Sequence, residues 1–220
     1  MSGQQDPAWE KYHRTSSRYN SYNNGWGQKF QRDSYNFSRR DKFYNIYSAG
    51  VIPYTYTPHR KLMFLLGKDG EGQWSDFGGR VEIEDNDDPA KTASREFYEE
   101  SMGSIIDSKE CYIKLTQGSP MKITSKTLNG SPYYMYFLYI DCKDWGEIFN
   151  KTYNFLKYSN APTKIFEKTQ IRWISLETIV QAIDNKSHLA ANSFIPLRKV
   201  FYDTISNCKE EIISLDSTQR

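Results

Sequence analysis

The sequence predicts an α/β fold, with short strands and helices along one chain. Short runs rich in aromatic and β-branched residues occur on both sides of a glycine pair, and such runs are typical of strands. A polar segment with clear helix-end signals follows the glycines, and segments near the C terminus carry apolar residues at helical spacing. With 220 residues, the chain is long enough for one domain with extensions and a substantial core.

Residues 1–42 form a polar, repetitive segment with few aliphatic side chains, which predicts a disordered tail. Basic and aromatic residues alternate in it, as in Arg18-Tyr19 and Lys29-Phe30. Such a mixture suits loose binding of single-stranded nucleic acid through phosphate contacts and stacking. A plain solubilising tail is the other interpretation. The folded domain is predicted over residues 43–215.

The first strands are predicted around short turns. Residues 44–56 are rich in β-formers and alternate in character, and residues 61–66 form an apolar run that suits a central strand. Residues 67–72 predict a turn because they begin and end with glycine. Residues 74–77 then lead into the pair Gly78-Gly79.

A helix is predicted between two end signals. Asp88 is a favourable N-cap and Pro89 suits the first helical position, while Gly103 suits the position after the last turn. At helical spacing, Ala90, Ala93 and Phe97 share one side, which is predicted to lie close against the sheet.

Three carboxylates, those of Glu96, Glu99 and Glu100, share another side of this helix. Like charges on one short face repel each other and lower helix stability, so a compensating charge is expected. A divalent cation such as Mg²⁺, which prefers oxygen ligands, is one explanation. A solvated acidic face that Arg95 and Lys91 partly neutralise is the other.

The segment Arg95-Glu96-Phe97-Tyr98-Glu99-Glu100, preceded by Gly78-Gly79 and followed by Gly103, resembles the signature of the Nudix hydrolases. That signature is G-x5-E-x7-R-E-U-x-E-E-x-G-U, where U is a bulky apolar residue, and its R-E-U-x-E-E core matches at every position. The chain from Gly79 to Arg95 is two residues longer than in the signature, and Met102 replaces its last glycine. Asp87, or Glu84 after a shift, takes the place of the glutamate that precedes the core.

The resemblance implies an α/β/α sandwich with a mixed, mostly central sheet, and hydrolysis of a diphosphate linkage in a nucleoside diphosphate attached to another group X. Bound Mg²⁺ or Mn²⁺ would neutralise phosphate oxygens and activate water. The implied metal ligands are Glu96, Glu99, Glu100, Glu167 and the carbonyl oxygen of Gly79. Close approach of backbone segments is a second reason for glycine at position 79.

The implied catalytic residues are Glu99, Glu100, Glu167 and Arg95. Glu100 or Glu167 would accept the proton of the attacking water, and Arg95 would orient the cluster by bidentate pairing. In the family, an acidic loop that precedes a strand with Trp often completes the metal site or supplies the base, and Glu167 precedes such a segment here. Glu147 is the second candidate, and an exposed loop glutamate without a role is the alternative for position 167.

Beyond the predicted helix, residues 111–116 and 133–141 are predicted as strands, with Asn129-Gly130 as a hairpin turn between them. Residues 145–160 are predicted as a helix or a structured insert. Inserts in this family often shape substrate choice, but the apolar residues Ile148, Tyr153, Phe155 and Leu156 are interpreted here as ordinary core.

Two C-terminal helices are predicted, over residues 177–184 and 194–215. The second carries a predicted buried stripe of Ile195, Val200, Phe201, Ile205, Ile212 and Ile213.

Composition bounds the setting of the protein. Cys111, Cys142 and Cys208 lie far apart and form no C-x-x-C pair, which indicates a reducing compartment and argues against a disulfide framework or a zinc site. No apolar run approaches 18 residues and the N terminus has no apolar signal region, so no membrane association and an intracellular, cytoplasmic location are expected. A formal net charge of +2 indicates no particular partner, and the pattern does not specify an oligomeric state.

The abundance of Asn, Lys, Tyr and Ile resembles the composition of proteins from large DNA viruses with AT-rich genomes. Several Nudix proteins of such viruses remove the 5′ cap of mRNA, so capped RNA held partly by the basic-aromatic tail is one implied substrate. Two alternatives stay open. One is a housekeeping hydrolase of free nucleotides, dinucleoside polyphosphates or diphosphoinositol phosphates, and the other is a non-catalytic Nudix module that binds RNA or protein.

Overall fold

In the computed structural model, which describes residues 46–188 and 195–217, seven strands form one sheet. They are β1 (Ser48–Tyr56), β2 (Leu62–Asp69), β3 (Trp74–Ser75), β4 (Phe77–Arg80), β5 (Lys122–Lys126), β6 (Pro132–Tyr139) and β7 (Lys168–Ser175). Strand β1 pairs in parallel with β6 and antiparallel with β2 and β4. Strands β3 and β7 pair with β2, and β5 pairs with β6. The sheet is therefore mixed, with β1 at its centre, as predicted.

Helices cover both faces of this sheet. They are α1 (Pro89–Glu100), α2 (Ser108–Gln117), α3 (Trp145–Tyr158), α4 (Leu176–Asp184), α5 (Lys199–Asn207) and α6 (Lys209–Ser217). Phe64 and Leu66 of β2 face a core that α4, α5 and α6 complete. Leu65, between them, faces a second core with α1, α2 and α3, because successive side chains of a strand point to opposite faces. Two cores on opposite faces confirm the predicted sandwich.

The contacts within the chain divide it into two units, Met1–Lys42 and Phe43–Arg220. Every residue described here belongs to the second unit. The predicted tail of residues 1–42 lies outside the described residues. In the described ranges, no helix combines the length and the apolar character needed to cross a membrane.

The prediction of a strand over residues 111–116 is wrong, because this segment lies within α2. The carboxylate of Asp107 caps this helix by accepting the backbone N–H of Glu110 at 2.8 Å. Cys111 and Leu115, one helical turn apart, are both buried. Strand β5 lies instead at Lys122–Lys126, in a segment for which the sequence predicted only turns. The predicted hairpin turn between β5 and β6 is present, with the N–H of Gly130 bonded to the carbonyl of Thr127 at 2.9 Å.

The single helix predicted over residues 194–215 is also wrong. Residues before α5 are extended, because the N–H of Trp74 bonds to the carbonyl of Pro196 at 2.8 Å and the N–H of Arg198 bonds to the carbonyl of Trp74 at 2.9 Å. Cys208 then separates α5 from α6. Of the predicted stripe, Ile195, Phe201, Ile205 and Ile212 are buried, whereas Val200 and Ile213 are partly exposed.

Helix α3 occupies the predicted insert, but its buried side differs from the prediction. Trp145 and Phe149 are buried, whereas Phe155 is 67% exposed and Ile148 is 38% exposed. The ring of Tyr153 lies beside that of Phe149, at 6.1 Å between centroids. The helix therefore packs on the sheet through its first half and presents apolar side chains to solvent in its second half.

The contact between α1 and the sheet can be tested at Phe97, which is fully buried with its ring 5.1 Å from that of Phe77. Phe97→Ala removes a large core side chain and leaves a cavity, so we expect the free energy of unfolding to fall by about 3–5 kcal/mol. Chemical denaturation measures this change. Tyr98→Ala, on the exposed side of the same helix, serves as the control, and an equal loss in both variants would contradict this packing.

Candidate functional site

Helix α1 begins where its sequence indicates and ends one residue earlier than Gly103 predicts, because its C-cap is Ser101. The carboxylate of Asp88 accepts the N–H of Ala90 at 2.9 Å, and Pro89 is the first helical residue. After the last turn, Met102 and Gly103 both have positive φ angles, of 53° and 64°. The chain reversal predicted at Gly103 is thus shared with Met102. The buried side of α1 packs on β1 and β4. The neighbouring side of the helix carries Glu96, Glu99 and Glu100 and therefore lies close to β4.

Glu100 is buried between α1 and β4. Its Oε2 accepts the N–H of Gly78 at 2.8 Å, and its Oε1 lies 3.4 Å from Nζ of Lys168. Lys168 is itself buried and also donates to the hydroxyl of Ser75 at 2.9 Å. Burial raises the pKa of Glu100 to about 8, although the charge of Lys168 acts to lower it. Both oxygens of Glu100 therefore contact groups of the protein interior.

Glu96 lies directly against the backbone of Gly79. A Cβ atom at position 79 would stand 2.4 Å from the carboxyl carbon of Glu96, so this approach requires glycine. Burial raises the pKa of Glu96 to about 7, although Arg95 acts to lower it. Glu99 is more open, with 56% of its side chain exposed, and burial raises its pKa as well.

Arg95 connects this cluster to the loop that precedes the helix. Its Nε and Nη2 bond to the two carboxylate oxygens of Asp85 at 3.1 and 2.9 Å, and its Nη1 bonds to Glu96 at 2.8 Å and to Glu99 at 3.3 Å. Nη2 also donates to the carbonyl oxygen of Arg80 at 2.9 Å. The bidentate partner of Arg95 is therefore Asp85, on the loop, and not a member of the α1 cluster.

Asp85 lies between Glu84 and Asp87, the two residues that the signature match suggested, and it is the acidic residue of this loop that pairs with Arg95. It is buried, and its carboxylate accepts the N–H of Glu82 at 2.9 Å and the hydroxyl of Thr92 at 2.8 Å. Burial alone would raise its pKa, but the hydrogen bonds from Arg95 and these groups bring the pKa below its usual value. The extra length of the loop hid this residue from a spacing argument. The Glu82–Asp85 capping box around the short helical turn of Ile83–Asp85 is the signal that could have identified it.

Glu167 is exposed and immediately precedes β7. The charge of Glu167 contributes to the raised pKa of Glu96, Glu99 and Glu100, so Glu167 lies close enough to these carboxylates to interact with them. Glu147, the second candidate, lies in the first turn of α3, where its carboxylate pairs with Lys151 at 2.6 Å.

The carboxylates already have protein partners. Arg95 pairs with one oxygen each of Glu96 and Glu99, as the solvated-face interpretation expects, whereas Lys91 donates to the carbonyl oxygen of Glu84. Within the described ranges, no group of three or more His, Cys, Asp or Glu side chains has a ready metal-binding arrangement. The donor chemistry nonetheless fits a hard divalent cation, because every donor is an oxygen and Glu96 and Glu99 lie together on one side of α1, where both contact Arg95.

A cavity of about 390 Å³ adjoins the same glycine pair. Its lining includes the end of the β5–β6 hairpin, the start of α5 and the buried carboxylate of Asp76, which accepts a hydrogen bond from the hydroxyl of Tyr133. Neither the pair of Asp76 and Tyr133 nor Lys168 was predicted from the sequence. No local pattern marks these residues, because each one meets its partner only after the sheet has formed.

Comparison with protein-family models gives no match, and comparison with curated protein sequences gives none either. Among solved structures, this chain is similar to the Nudix hydrolase RenU from M. smegmatis, with a TM-score of 0.41 and 11% identity over 77% of this chain and 87% of that one. An Ap4A hydrolase from C. elegans gives 0.38 and 19%, with 63% and 86% covered. A MutT protein from Methanosarcina mazei Go1 gives 0.39 and 15%, with 76% and 94% covered. These likenesses are too weak to assign chemistry, which is argued below from this chain's own residues.

The raised pKa of Glu96 predicts how the metal-free protein responds to pH. The folded state holds the proton of Glu96 up to about pH 7, whereas the unfolded state releases it near its ordinary value of 4.5. The contribution of this group to the free energy of unfolding is therefore lost as the pH rises through that window. Glu96→Gln should reduce the loss, as urea denaturation in EDTA at several pH values would measure. Glu110→Gln, an exposed change on α2, is the control, and a Glu96→Gln protein with the wild-type pH slope would contradict the assignment.

Proposed function

We propose that this chain is a Nudix-type pyrophosphohydrolase that cleaves a diphosphate linkage in a nucleoside diphosphate attached to another group X. The observation that carries the proposal is an acidic cluster in which Glu96 lies against the backbone of Gly79 and shares Arg95 with Glu99, while Gly79 lines a cavity that could hold the rest of a substrate. Oxygen donors next to a cavity suit the metal-assisted hydrolysis of a phosphoanhydride.

Glu96, Glu99, Glu167 and the carbonyl oxygen of Gly79 would hold Mg²⁺ or Mn²⁺. When bound, the ion supplies charge neutralisation on the phosphate oxygens and makes a water molecule more acidic. Arg95 is a positioning residue in this proposal, because its pairing with Asp85 fixes the side chain that contacts Glu96 and Glu99. Arg95 also donates to the carbonyl oxygen of Arg80 and so links the last residue of β4 to α1.

Two glutamates were candidates for the base that accepts the proton of the attacking water. Glu100 has one oxygen on the N–H of Gly78 and the other beside Lys168, within the interior. Glu167 is exposed, immediately precedes β7, and its charge acts on Glu96, Glu99 and Glu100. We therefore favour Glu167 as the base, with Glu100 holding α1 and β4 together and supporting the metal ligands from behind.

Within this substrate class, capped RNA in the cytoplasm is the specific substrate that we propose. Its support is the basic-aromatic sequence of residues 1–42, which suits salt-sensitive, sequence-independent contacts with an RNA chain. Free nucleotides, dinucleoside polyphosphates and diphosphoinositol phosphates are the competing substrates. A module that binds RNA or protein without catalysis is the competing function.

Glu99→Gln tests the catalytic proposal with little risk to the fold, because most of this side chain is exposed. We expect metal-dependent turnover to fall by about 100-fold or more, since an amide is a much poorer ligand for a hard cation than a carboxylate. Steady-state hydrolysis with Mg²⁺ and with Mn²⁺ measures the loss, and circular dichroism checks folding. Glu147→Gln is the matched control on α3 and should hydrolyse substrate at the wild-type rate. Wild-type turnover by a folded Glu99→Gln protein would refute the proposal.

A substrate panel separates the competing functions. It compares cap-labelled RNA, free cap analogue, nucleoside triphosphates, ADP-ribose and dinucleoside polyphosphates, each with Mg²⁺ and with Mn²⁺. We expect capped RNA to give the highest kcat/KM, and we expect loss of residues 1–42 to raise KM for capped RNA but not for the free cap analogue. Equal values with and without these residues would favour a free-nucleotide hydrolase. Calorimetric binding of metal without turnover of any substrate would favour the binding module.

A further inference from the structure

An acid–phenol pair lies buried in the wall of the cavity. Asp76 stands between β3 and β4, Tyr133 stands on β6, and each is only 5% exposed. Gly50 and Gly78, paired across β1 and β4, border this pair. A Cβ atom at Gly50 or Gly78 would lie 2.5 or 2.7 Å from the hydroxyl oxygen of Tyr133. Two glycines on adjacent strands therefore provide the space in which the pair lies.

A carboxylate at this depth is costly unless nearby groups compensate its charge. The pKa of Asp76 is raised, because burial outweighs the hydrogen bond from Tyr133 and the charges of Lys168 and Arg198, which act to lower it. Tyr133 donates to Oδ2, which makes the carboxylate an acceptor in this pair. An ionised carboxylate offers about four acceptor positions, so Asp76 can accept further N–H groups from a ligand in the cavity.

The rest of the lining suits a flat heteroaromatic group joined to phosphates. Tyr47, Val200 and Phe201 contribute apolar and aromatic surface, and Arg80 and Arg198 add positive charge. The volume of about 390 Å³ lies in the range of small-molecule sites. Gly78 and Gly79 belong both to this lining and to the surroundings of Glu100 and Glu96. A single ligand that occupied the cavity would therefore lie next to the carboxylate cluster.

We propose that the cavity binds the base of the nucleotide substrate and that Asp76 selects a base with two adjacent N–H donors on one edge, as guanine has. This inference rests on the function proposed above. A carboxylate accepts two parallel N–H groups in a bidentate arrangement. Adenine and cytosine place a ring-nitrogen acceptor beside their amino group, and uracil places carbonyl oxygens on both sides of its N–H. Each of these bases would set an acceptor against the carboxylate, which leaves polar groups unpaired.

Calorimetric titration of the full-length, metal-free protein with nucleoside monophosphates in EDTA tests this selection. We expect GMP to bind most tightly, and AMP and UMP about 10- to 100-fold more weakly, the range that one bidentate contact to a base supplies. IMP, which keeps the ring N–H but lacks the amino group, should fall between them. Asp76→Asn should weaken GMP binding by a similar factor and leave AMP binding nearly unchanged. Equal affinities for GMP and AMP, or wild-type GMP binding by Asp76→Asn, would overturn the proposal.

Two further variants guard against a folding artefact. Asp141→Asn makes the same chemical change at an exposed residue that pairs with Lys143, so it should bind GMP like the wild type. Ser131→Trp introduces a large side chain into the hairpin wall of the cavity without altering Asp76, and it should reduce binding of every nucleotide. If Asp76→Asn does not fold, Ser131→Trp decides the location of the site, and undiminished GMP binding by that variant would contradict it.

Failure of this inference is distinguishable from failure of the proposed function, because the binding measurement needs no metal and no turnover. A protein that prefers GMP in EDTA, loses this preference in Asp76→Asn and hydrolyses nothing would support the base site and refute the hydrolase. A protein that hydrolyses guanine and adenine substrates with equal kcat/KM and shows no preference in binding would support the hydrolase and refute the role of Asp76.

Discussion

The close approach of α1 to β4 is the constraint on which the candidate site depends. Gly78 gives its N–H to Glu100, and Gly79 leaves the space that the carboxylate of Glu96 occupies. A Cβ atom at position 79 would stand 2.4 Å from the carboxyl group of Glu96, so this carboxylate would have to leave its place against the strand. The two glycines thus allow the acidic face of the helix to meet the backbone of the strand.

The charges at this contact are arranged in two layers. Arg95, Asp85 and the outer carboxylates form a partly exposed network, in which one guanidinium joins the loop to the helix. Glu100 and Lys168 form an interior pair, which ties α1 to the start of β7. Burying two charges is expensive, so the pair contributes more to a single geometry of helix and strand than to stability. Because Glu100 and Lys168 are held in the interior, Glu96 and Glu99 are the carboxylates that can exchange Arg95 for another partner.

Local signals predicted the elements that local interactions decide. The N-cap Asp88, the first-turn Pro89 and the spacing of Ala90, Ala93 and Phe97 are sufficient to define α1 and its buried side. The same reasoning failed where distant contacts decide the outcome. The extended segment before α5 exists because it pairs with Trp74, more than a hundred residues earlier, and helical spacing alone does not reveal this. Lys168 and Asp76 were missed for the same reason, since each one meets its partner, Glu100 or Tyr133, only when distant elements pack together.

The backbone pairing of Trp74 with Pro196 and Arg198 also affects how the site is assembled. It holds one wall of the cavity through hydrogen bonds to a strand that ends one residue before Asp76. The carboxylates of α1 and the wall that α5 supplies therefore come from separate parts of the chain, and Gly78, Gly79 and Arg80 border both of them. Substitutions at the start of α5 would therefore alter the cavity wall while the acidic face of α1 stays intact, so the two parts of this surface can change separately.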